Sequence, residues 1–165
     1  MCGIAGILDP EGSYENLRNT ASRMADQLIH RGPDAGGVWG EDGISLSHRR
    51  LSILDLSEAG SQPMHSDCGR FVIVFNGEIY NHLQIRHDLE VIGAAPKWRG
   101  HSDTETLLAG VAHWGLDETL QRTAGMFAIT IWDRSLKCLC LSRDRMGEKP
   151  LYWGWAGQAL VFGSE

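Results

Sequence analysis

The chain has 165 residues, of which 42% are apolar, and its 21 acidic side chains outnumber its 15 lysines and arginines to give a formal charge of −6. A chain of this length can bury about two thirds of the surface that it exposes when unfolded, which predicts one globular domain without a disulfide or metal staple. The negative charge argues against nucleic-acid or anionic-membrane partners, because such surfaces are bound largely through Lys and Arg. Small polar substrates and protein partners remain.

The cysteines and the N-terminus indicate a reducing compartment. Cys2, Cys68, Cys138 and Cys140 have the spacing of neither a zinc knuckle nor a disulfide framework, which favours the cytoplasm. The seven histidines form no metal-ligand pair, so we expect no metal. No apolar run approaches a membrane span, and MCGIAGILDPEG lacks the features of a secretory signal. We therefore expect the mature N-terminus close to Met1, whose removal would make Cys2 the first residue.

Short apolar runs bounded by Gly, Asn, Asp and Pro predict strands with helices between them. In the first half we predict a strand over residues 3–8, a helix over 14–30, a strand over 43–54 and a strand over 70–75, apolar on both faces and followed by an NGEIYN turn. The charge-rich segment RDRMGEKP in the second half is interpreted as a salt-bridged connection.

The second half begins with a capped helix and continues with strands. Ser102 stands three residues before Glu105, a capping-box pattern, and a single helical face then carries Leu107, Leu108, Val111 and Trp114. Residues 125–133, 136–142, 150–155 and 159–163 are predicted as successive antiparallel strands. Cys68, Cys138, Cys140 and the tryptophans are predicted to be interior residues. Two packed sheets with outer helices, an α+β domain, are expected.

Cys2 is the first candidate for chemistry. Once Met1 is removed, one residue would carry both a thiol nucleophile and an amine that can take its proton, although a small residue beginning a strand is the simpler interpretation. Arg50 is the second candidate, because Ile44, Leu46 and His48 share its strand face. A half-buried guanidinium there requires a carboxylate, from the protein or from a ligand, and Arg49 is expected to be the solvated arginine.

Asn76, Gly77, Glu78 and Asp103 supply the remaining candidates. The Asn76 side chain and the Gly77 backbone offer two N–H donors for an oxyanion, although Asn-Gly is also a common hairpin turn. Glu78 offers an acceptor for an ammonium group, and Asp103 begins the capped helix, where the helix dipole favours an acid in any case. With the thiol and the guanidinium, these groups complement an amino acid whose side-chain carbonyl is attacked, as glutamine hydrolysis requires.

Eight motifs follow one another along the chain: MCGIAGI, RGPD, SHRRLSILDLS, SQPM, FNGEIYN, HSDTETLL, GMFAITIWD and RDRMGEKPLYW. With them the chain resembles the glutaminase domain of class II glutamine amidotransferases, and among these the glutamine-hydrolysing asparagine synthetases. The resemblance implies a four-layer αββα fold of the N-terminal-nucleophile hydrolases. It also implies the roles of six residues: Cys2 as nucleophile and, through its amine, base; Asn76 and Gly77 as oxyanion hole; Arg50 for the substrate carboxylate; Glu78 and Asp103 for its ammonium.

Members of this family carry a second, ATP-dependent domain with an SGGxDS-type loop, a motif that residues 1–165 do not contain. We therefore expect a glutaminase domain over 1–165 that needs no cofactor, with ATP and Mg²⁺ confined to the synthetase domain. The expected partners are L-glutamine and a synthetase domain of the same or another chain, and a homodimer is compatible with the sequence. The acceptor, aspartate or a sugar acid, stays open. The alternatives are a silent interaction domain and another N-terminal-nucleophile amidohydrolase.

Overall fold

A computed structural model describes residues 1–52 and 58–165. The described part contains nine strands, four α-helices and a short 3₁₀ helix over Glu58–Gly60. In chain order the strands and α-helices are β1 (Gly3–Leu8), α1 (Tyr14–Gln27), β2 (Ala35–Glu41), β3 (Ile44–Arg50), β4 (Met64–His65), β5 (Phe71–Ile79), α2 (His82–Val91), α3 (Asp103–Trp114), α4 (Leu116–Arg122), β6 (Gly125–Asp133), β7 (Cys138–Arg143), β8 (Tyr152–Ala156) and β9 (Ala159–Gly163). The predicted strand over 43–54 is found as β3, which is shorter than predicted because it ends at Arg50. Residues 53 and 54 of that prediction lie outside the described ranges.

The two sheets pack face to face and the helices cover their outer faces. The first sheet has the strand order β2-β3-β1-β9-β8, the second has the order β4-β5-β6-β7, and every paired strand is antiparallel. Strand β5 contacts β1 and β3 of the opposite sheet, helix α1 packs on β1, β2 and β3, and α3 packs on β5 with α2 and α4 against it. This is the predicted four-layer αββα arrangement.

Three apolar layers hold the four structural layers together. The layer between the sheets consists of Ile4, Ile44, Leu46, Val72, Val74, Ala128, Trp132 and Phe162. Helix α1 buries Leu17 and Ala21 on Ile7 of the first sheet, and the largest cluster joins the other sheet to α2 and α3. Because each fully buried aliphatic side chain contributes roughly 1.5–3 kcal/mol, these layers supply most of the stabilisation that positions the strand ends.

Strand β5 is longer than predicted. Residues 76–79 continue its pairing with β6, with Gly77 opposite Phe127 and Ile79 opposite Gly125, so the NGEIYN turn was wrong. A Cβ atom on Gly77 would lie 2.7 Å from the Phe127 Cα and still closer to the Met126 carbonyl oxygen. The glycine therefore permits the close approach of the neighbouring strand, and the Asn-Gly pair is part of a strand instead of a hairpin.

Other differences from the predictions lie at sheet edges and in short elements. Strand β2 and helix α2 were not predicted. The glycine-rich sequence of β2, AGGVWGE, has no apolar alternation, and α2 buries only Ile85 and Leu89, which is too few for an apolar helical face. Cys138 and Cys68 are exposed and Cys140 is half-buried, so the prediction of interior thiols was wrong. Trp153 and Trp155 are also exposed. These strand residues belong to β7 and β8, which are the edge strands of their sheets.

The predicted cap of α3 is half formed. The Ser102 Oγ accepts the Glu105 N–H at 3.2 Å, as the capping box requires. The Glu105 carboxylate accepts the N–H groups of Arg99 and Gly100 at 2.8 and 3.1 Å, and so ties the preceding loop to the helix. This loop and cap fix the start of α3, where Asp103 is located. No described helix is long and apolar enough to span a bilayer.

Candidate active site

All six predicted site residues line one cavity of about 130 Å³. The cavity lies where β1 and β3 approach β5 and the N-terminal end of α3. Cys2 precedes β1 and Arg50 ends β3, so adjacent antiparallel strands place them at the same edge of the first sheet. The predicted residues are Cys2, Arg50, Asn76, Gly77, Glu78 and Asp103. Their predicted roles are not tested by this placement, but the fold does bring them together.

The Cys2 thiol is half-buried and held against the backbone that follows β3. The Leu51 N–H donates to its Sγ at 3.4 Å, and the Arg31 Nε donates to the Cys2 carbonyl at 3.2 Å. The structure contains Met1, whose terminal amine donates to the Arg31 carbonyl at 3.2 Å. The nitrogen of Cys2 is therefore a peptide nitrogen in this chain and becomes an amine only when Met1 is removed.

Asn76 presents an unused donor to the cavity. Its side chain shares the inter-sheet face of β5 with Val72 and Val74, and the residue is only 2% exposed. Within residues 1–52 and 58–165, its Nδ2 has no hydrogen-bond acceptor. Because buried amide groups are nearly always paired, an unpaired one at a cavity indicates a site for an acceptor from a ligand.

The direction of the Gly77 N–H follows from the ladder of β5. The N–H groups of Phe75 and Ile79 point away from β6, to Gln62 Oε1 at 2.6 Å and to Asp103 Oδ2 at 2.9 Å. Phe127, opposite Gly77, uses both its backbone groups on Asp144, at 3.1 and 2.8 Å. Gly77 and Phe127 are therefore a non-hydrogen-bonded pair. The Gly77 N–H points away from β6, to the same side as the N–H groups of Phe75 and Ile79. Gln62 and Asp103 line the cavity on that side.

The predicted face of β3 is confirmed. Ile44 and Leu46 lie between the sheets, and the His48 Nε2 is 3.2 Å from the Phe75 carbonyl oxygen. Burial lowers the pKa of His48 to about 4, so the ring is neutral at pH 7. Arg50, next on this face, is half-buried at the cavity. Arg49 is not the solvated residue that was predicted, because it packs under α1 and forms an ion pair with Asp26.

Asp103 is a buried carboxylate beside a second carboxylate. Its Oδ2 accepts the Ile79 N–H at 2.9 Å and its Oδ1 accepts the Thr104 N–H at 2.8 Å. Burial raises the pKa of Asp103 although these hydrogen bonds oppose it, and the charge of Glu78 raises that pKa further. Two carboxylates that destabilise each other's charge form a suitable site for a cation such as an α-ammonium group.

Gln62 and Lys149 also line the cavity, and neither was among the predicted site residues. Gln62 links the loop before β4 to the site, since its Oε1 accepts from Phe75 and its Nε2 donates to Thr104 Oγ1 at 3.4 Å. The SQPM motif, which contains Gln62, is the sequence feature that could have indicated this residue. Lys149 lies in the segment RDRMGEKP, and the prediction of a salt-bridged connection there was wrong. The Asp144 carboxylate accepts backbone N–H groups of this segment, and neither Asp144 nor Lys149 forms an ion pair with a described residue.

Residues 1–52 and 58–165 contain no cluster of three metal-ligating side chains.

Comparisons with known proteins cover the whole chain. Residues 1–165 match the model of the glutamine amidotransferase domain. The chain is 36% identical over 167 residues to asparagine synthetase (glutamine-hydrolyzing) 3 of Bacillus subtilis, covering all of this chain and 26% of the relative. It is 36% identical over 155 residues to asparagine synthetase B (glutamine-hydrolyzing) of Escherichia coli, covering 94% and 27%. The chain thus spans about a quarter of the length of these relatives.

A solved structure shows the same fold at low sequence identity. The glutamine phosphoribosylpyrophosphate amidotransferase of B. subtilis, complexed with ADP and GMP, superimposes with a TM-score of 0.82 at 20% identity, over 99% of this chain and 42% of that one. This likeness confirms the predicted fold of the N-terminal-nucleophile hydrolases. The match over residues 1–165 shows that the chain belongs to the glutamine amidotransferase domain family, and the similarity to the synthetases agrees with it.

Proposed function

We propose that this domain hydrolyses L-glutamine to glutamate and ammonia through a γ-glutamyl thioester on Cys2. The observation that carries the proposal is that the Cys2 thiol and the unpaired amide of Asn76 line the same small cavity. A thiol supplies the nucleophile, and an unpaired donor beside it supplies the electrostatic stabilisation that acyl transfer requires.

The reaction follows from the order of these groups. After Met1 is removed, the Cys2 amine takes the thiol proton, and the sulfur adds to the side-chain carbonyl of glutamine. The Asn76 side chain and the Gly77 N–H hold the oxyanion. The amine returns the proton to the leaving nitrogen, so ammonia departs as the C–N bond breaks. A water molecule, deprotonated by the same amine, then cleaves the thioester to glutamate and restores the thiol.

Substrate recognition uses the charged groups at the other side of the cavity. Arg50 binds the α-carboxylate, because its guanidinium fork suits that planar anion. Glu78 and Asp103 receive the α-ammonium, which relieves the repulsion between the two carboxylates. An amide that lacks either charged group loses these contacts and is a poor substrate for that reason.

We further propose that the ammonia supplies an asparagine-synthetase-type amidation. The support is the similarity to glutamine-hydrolysing synthetases that are about four times as long as this chain. Activation of the acceptor, with its ATP and Mg²⁺, belongs in this proposal to a synthetase domain in the same chain or in a partner chain. A cytoplasmic location agrees with four free thiols. The homodimer stays a prediction.

The test measures glutamate and ammonia released by the purified domain. We expect turnover of L-glutamine, none in Cys2→Ala, and unchanged turnover in the control Cys68→Ala, which removes an exposed thiol on another part of the surface. Glutaramide, which has the amide but neither charged group, should be hydrolysed poorly. Equal turnover of both amides would indicate a different amidohydrolase, and no turnover with Met1 removed would indicate an interaction domain.

A further inference from the structure

Lys149 is a buried cation in the cavity that the proposed reaction does not use. The residue is 8% exposed and lines the same space as Cys2. Its Nζ donates to the Met1 Sδ at 3.3 Å, and no carboxylate oxygen lies within 4 Å of it in the described ranges. A thioether is a weak acceptor, and a buried ammonium without a carboxylate is costly. Such an arrangement indicates a function other than stability.

The backbone of Lys149 is fixed to the strand that flanks the proposed oxyanion hole. Asp144 Oδ2 accepts the N–H of Lys149 and that of Phe127, both at 3.1 Å, and the Arg143 Nε donates to the Lys149 carbonyl at 2.6 Å. Phe127 is paired with Gly77. The ammonium itself lies against the Met1 side chain, and it forms no ion pair with Glu78 or Asp103.

We propose that Lys149 is a positioning residue for the nucleophile, acting through the α-amine that Cys2 acquires when Met1 is removed. This inference rests on the proposed function. In the unprocessed chain the Met1 side chain contacts the Lys149 ammonium, and its sulfur is only a few covalent bonds from the Cys2 nitrogen. Once that side chain is gone, the ammonium has the new amine as its neighbour. A like charge disfavours the protonated amine, which keeps the base in its neutral form, and the same charge stabilises the thiolate.

Other charged groups also border the nucleophile. Arg31 donates to the Cys2 carbonyl but its guanidinium also forms an ion pair with Glu165. Arg50 lies at the end of β3, where the substrate carboxylate is expected to neutralise it, and Glu78 and Asp103 are expected to be neutralised by the substrate ammonium. Lys149 differs from these groups. No carboxylate of the described residues compensates its charge, and the substrate is not expected to do so.

The experiment compares the pH dependence of kcat/KM for glutamine in the parent domain, Lys149→Met and Lys149→Arg. We expect the acid limb of the Lys149→Met profile to move to higher pH by about one unit, the effect of one charge at close range. Below the limb this is roughly a tenfold loss of activity, and the loss is smaller above it. Lys149→Arg should keep the limb of the parent. Lys97→Met is the control, since Lys97 is an exposed lysine that does not line this cavity.

Intact-mass measurement of each variant establishes that Met1 has been removed, and a thermal melt establishes folding. If Lys149→Met does not fold, Lys149→Gln replaces it and carries the same expectation. A uniform loss at all pH values, or an unshifted limb, would overturn the role of Lys149 while leaving the proposed function intact. A parent domain without turnover would instead overturn the proposed function, and the role of Lys149 with it.

Discussion

Replacing Asn76 by alanine should separate activity from stability. The Asn76 Nδ2 has no acceptor in the described part of the protein, so the substitution breaks no intramolecular hydrogen bond of this group there. The free energy of unfolding should therefore change by only about 1 kcal/mol, from lost packing. The same substitution removes one donor of the proposed oxyanion hole, an effect of about 2.7–4 kcal/mol on the activation free energy. Turnover should fall about 10²–10³-fold.

The assay follows glutamate release at several glutamine concentrations, together with urea unfolding. The loss should be found in kcat with KM little changed, because the oxyanion exists only in the transition state and intermediate. Thr130→Val is the matched control: Thr130 is a buried residue of β6 whose Oγ1 also lacks a partner among the described residues, but it does not line the cavity. A kcat of Asn76→Ala within a few fold of the parent would refute the reasoning.

Three further predictions concern pH and packing. In the folded state the pKa of His48 is about 4, against 6.5 for an ordinary histidine. The contribution of neutral His48 to the free energy of unfolding should therefore be fully present above pH 6.5, and about 3 kcal/mol of it should be lost as the pH falls to 4. Urea unfolding of His48→Gln should not show this loss. Burial, together with the Glu78 charge, raises the pKa of Asp103, so KM for glutamine should increase as the pH is lowered and Asp103 protonates, and Glu78→Gln should move that increase to lower pH while raising KM about tenfold. Gly77→Ala should fold poorly or lose about 3 kcal/mol or more, because its Cβ would meet the backbone of β6, and a thermal melt tests this.

The sequence predicted well the features that depend on local pattern. Strands β1, β6 and β9 begin and end at the predicted residues, and the Ser102 cap marks the start of α3, because apolar alternation and capping chemistry are written in neighbouring positions. The convergence of Cys2 with Arg50 follows from strand pairing. Their proximity to Asn76 and Asp103 depends on how the two sheets stack, and it was the family resemblance that predicted it.

Features that depend on long-range contacts could not be read from the sequence. The sequence predicts a turn at Gly77, because the approach of β6 comes from residues 50 positions away. It predicts a solvated Arg49, because the partner of that side chain, Asp26, lies on a helix packed against the strand. The charge-rich sequence around Lys149 predicts a salt-bridged loop, because nothing near it in sequence shows that backbone N–H groups occupy the Asp144 carboxylate.

The central claim is that Cys2, as the first residue of the processed chain, is the nucleophile. Intact-mass and peptide mass spectrometry after treatment with a glutamine-like diazo-ketone tests it most directly. We predict one adduct, on Cys2, in a chain that lacks Met1, suppressed by excess glutamine and absent from Cys2→Ala. A chain that retains Met1 and stays unmodified while glutamine is still hydrolysed, or an adduct on Cys68, Cys138 or Cys140 that accounts for loss of activity, would contradict it.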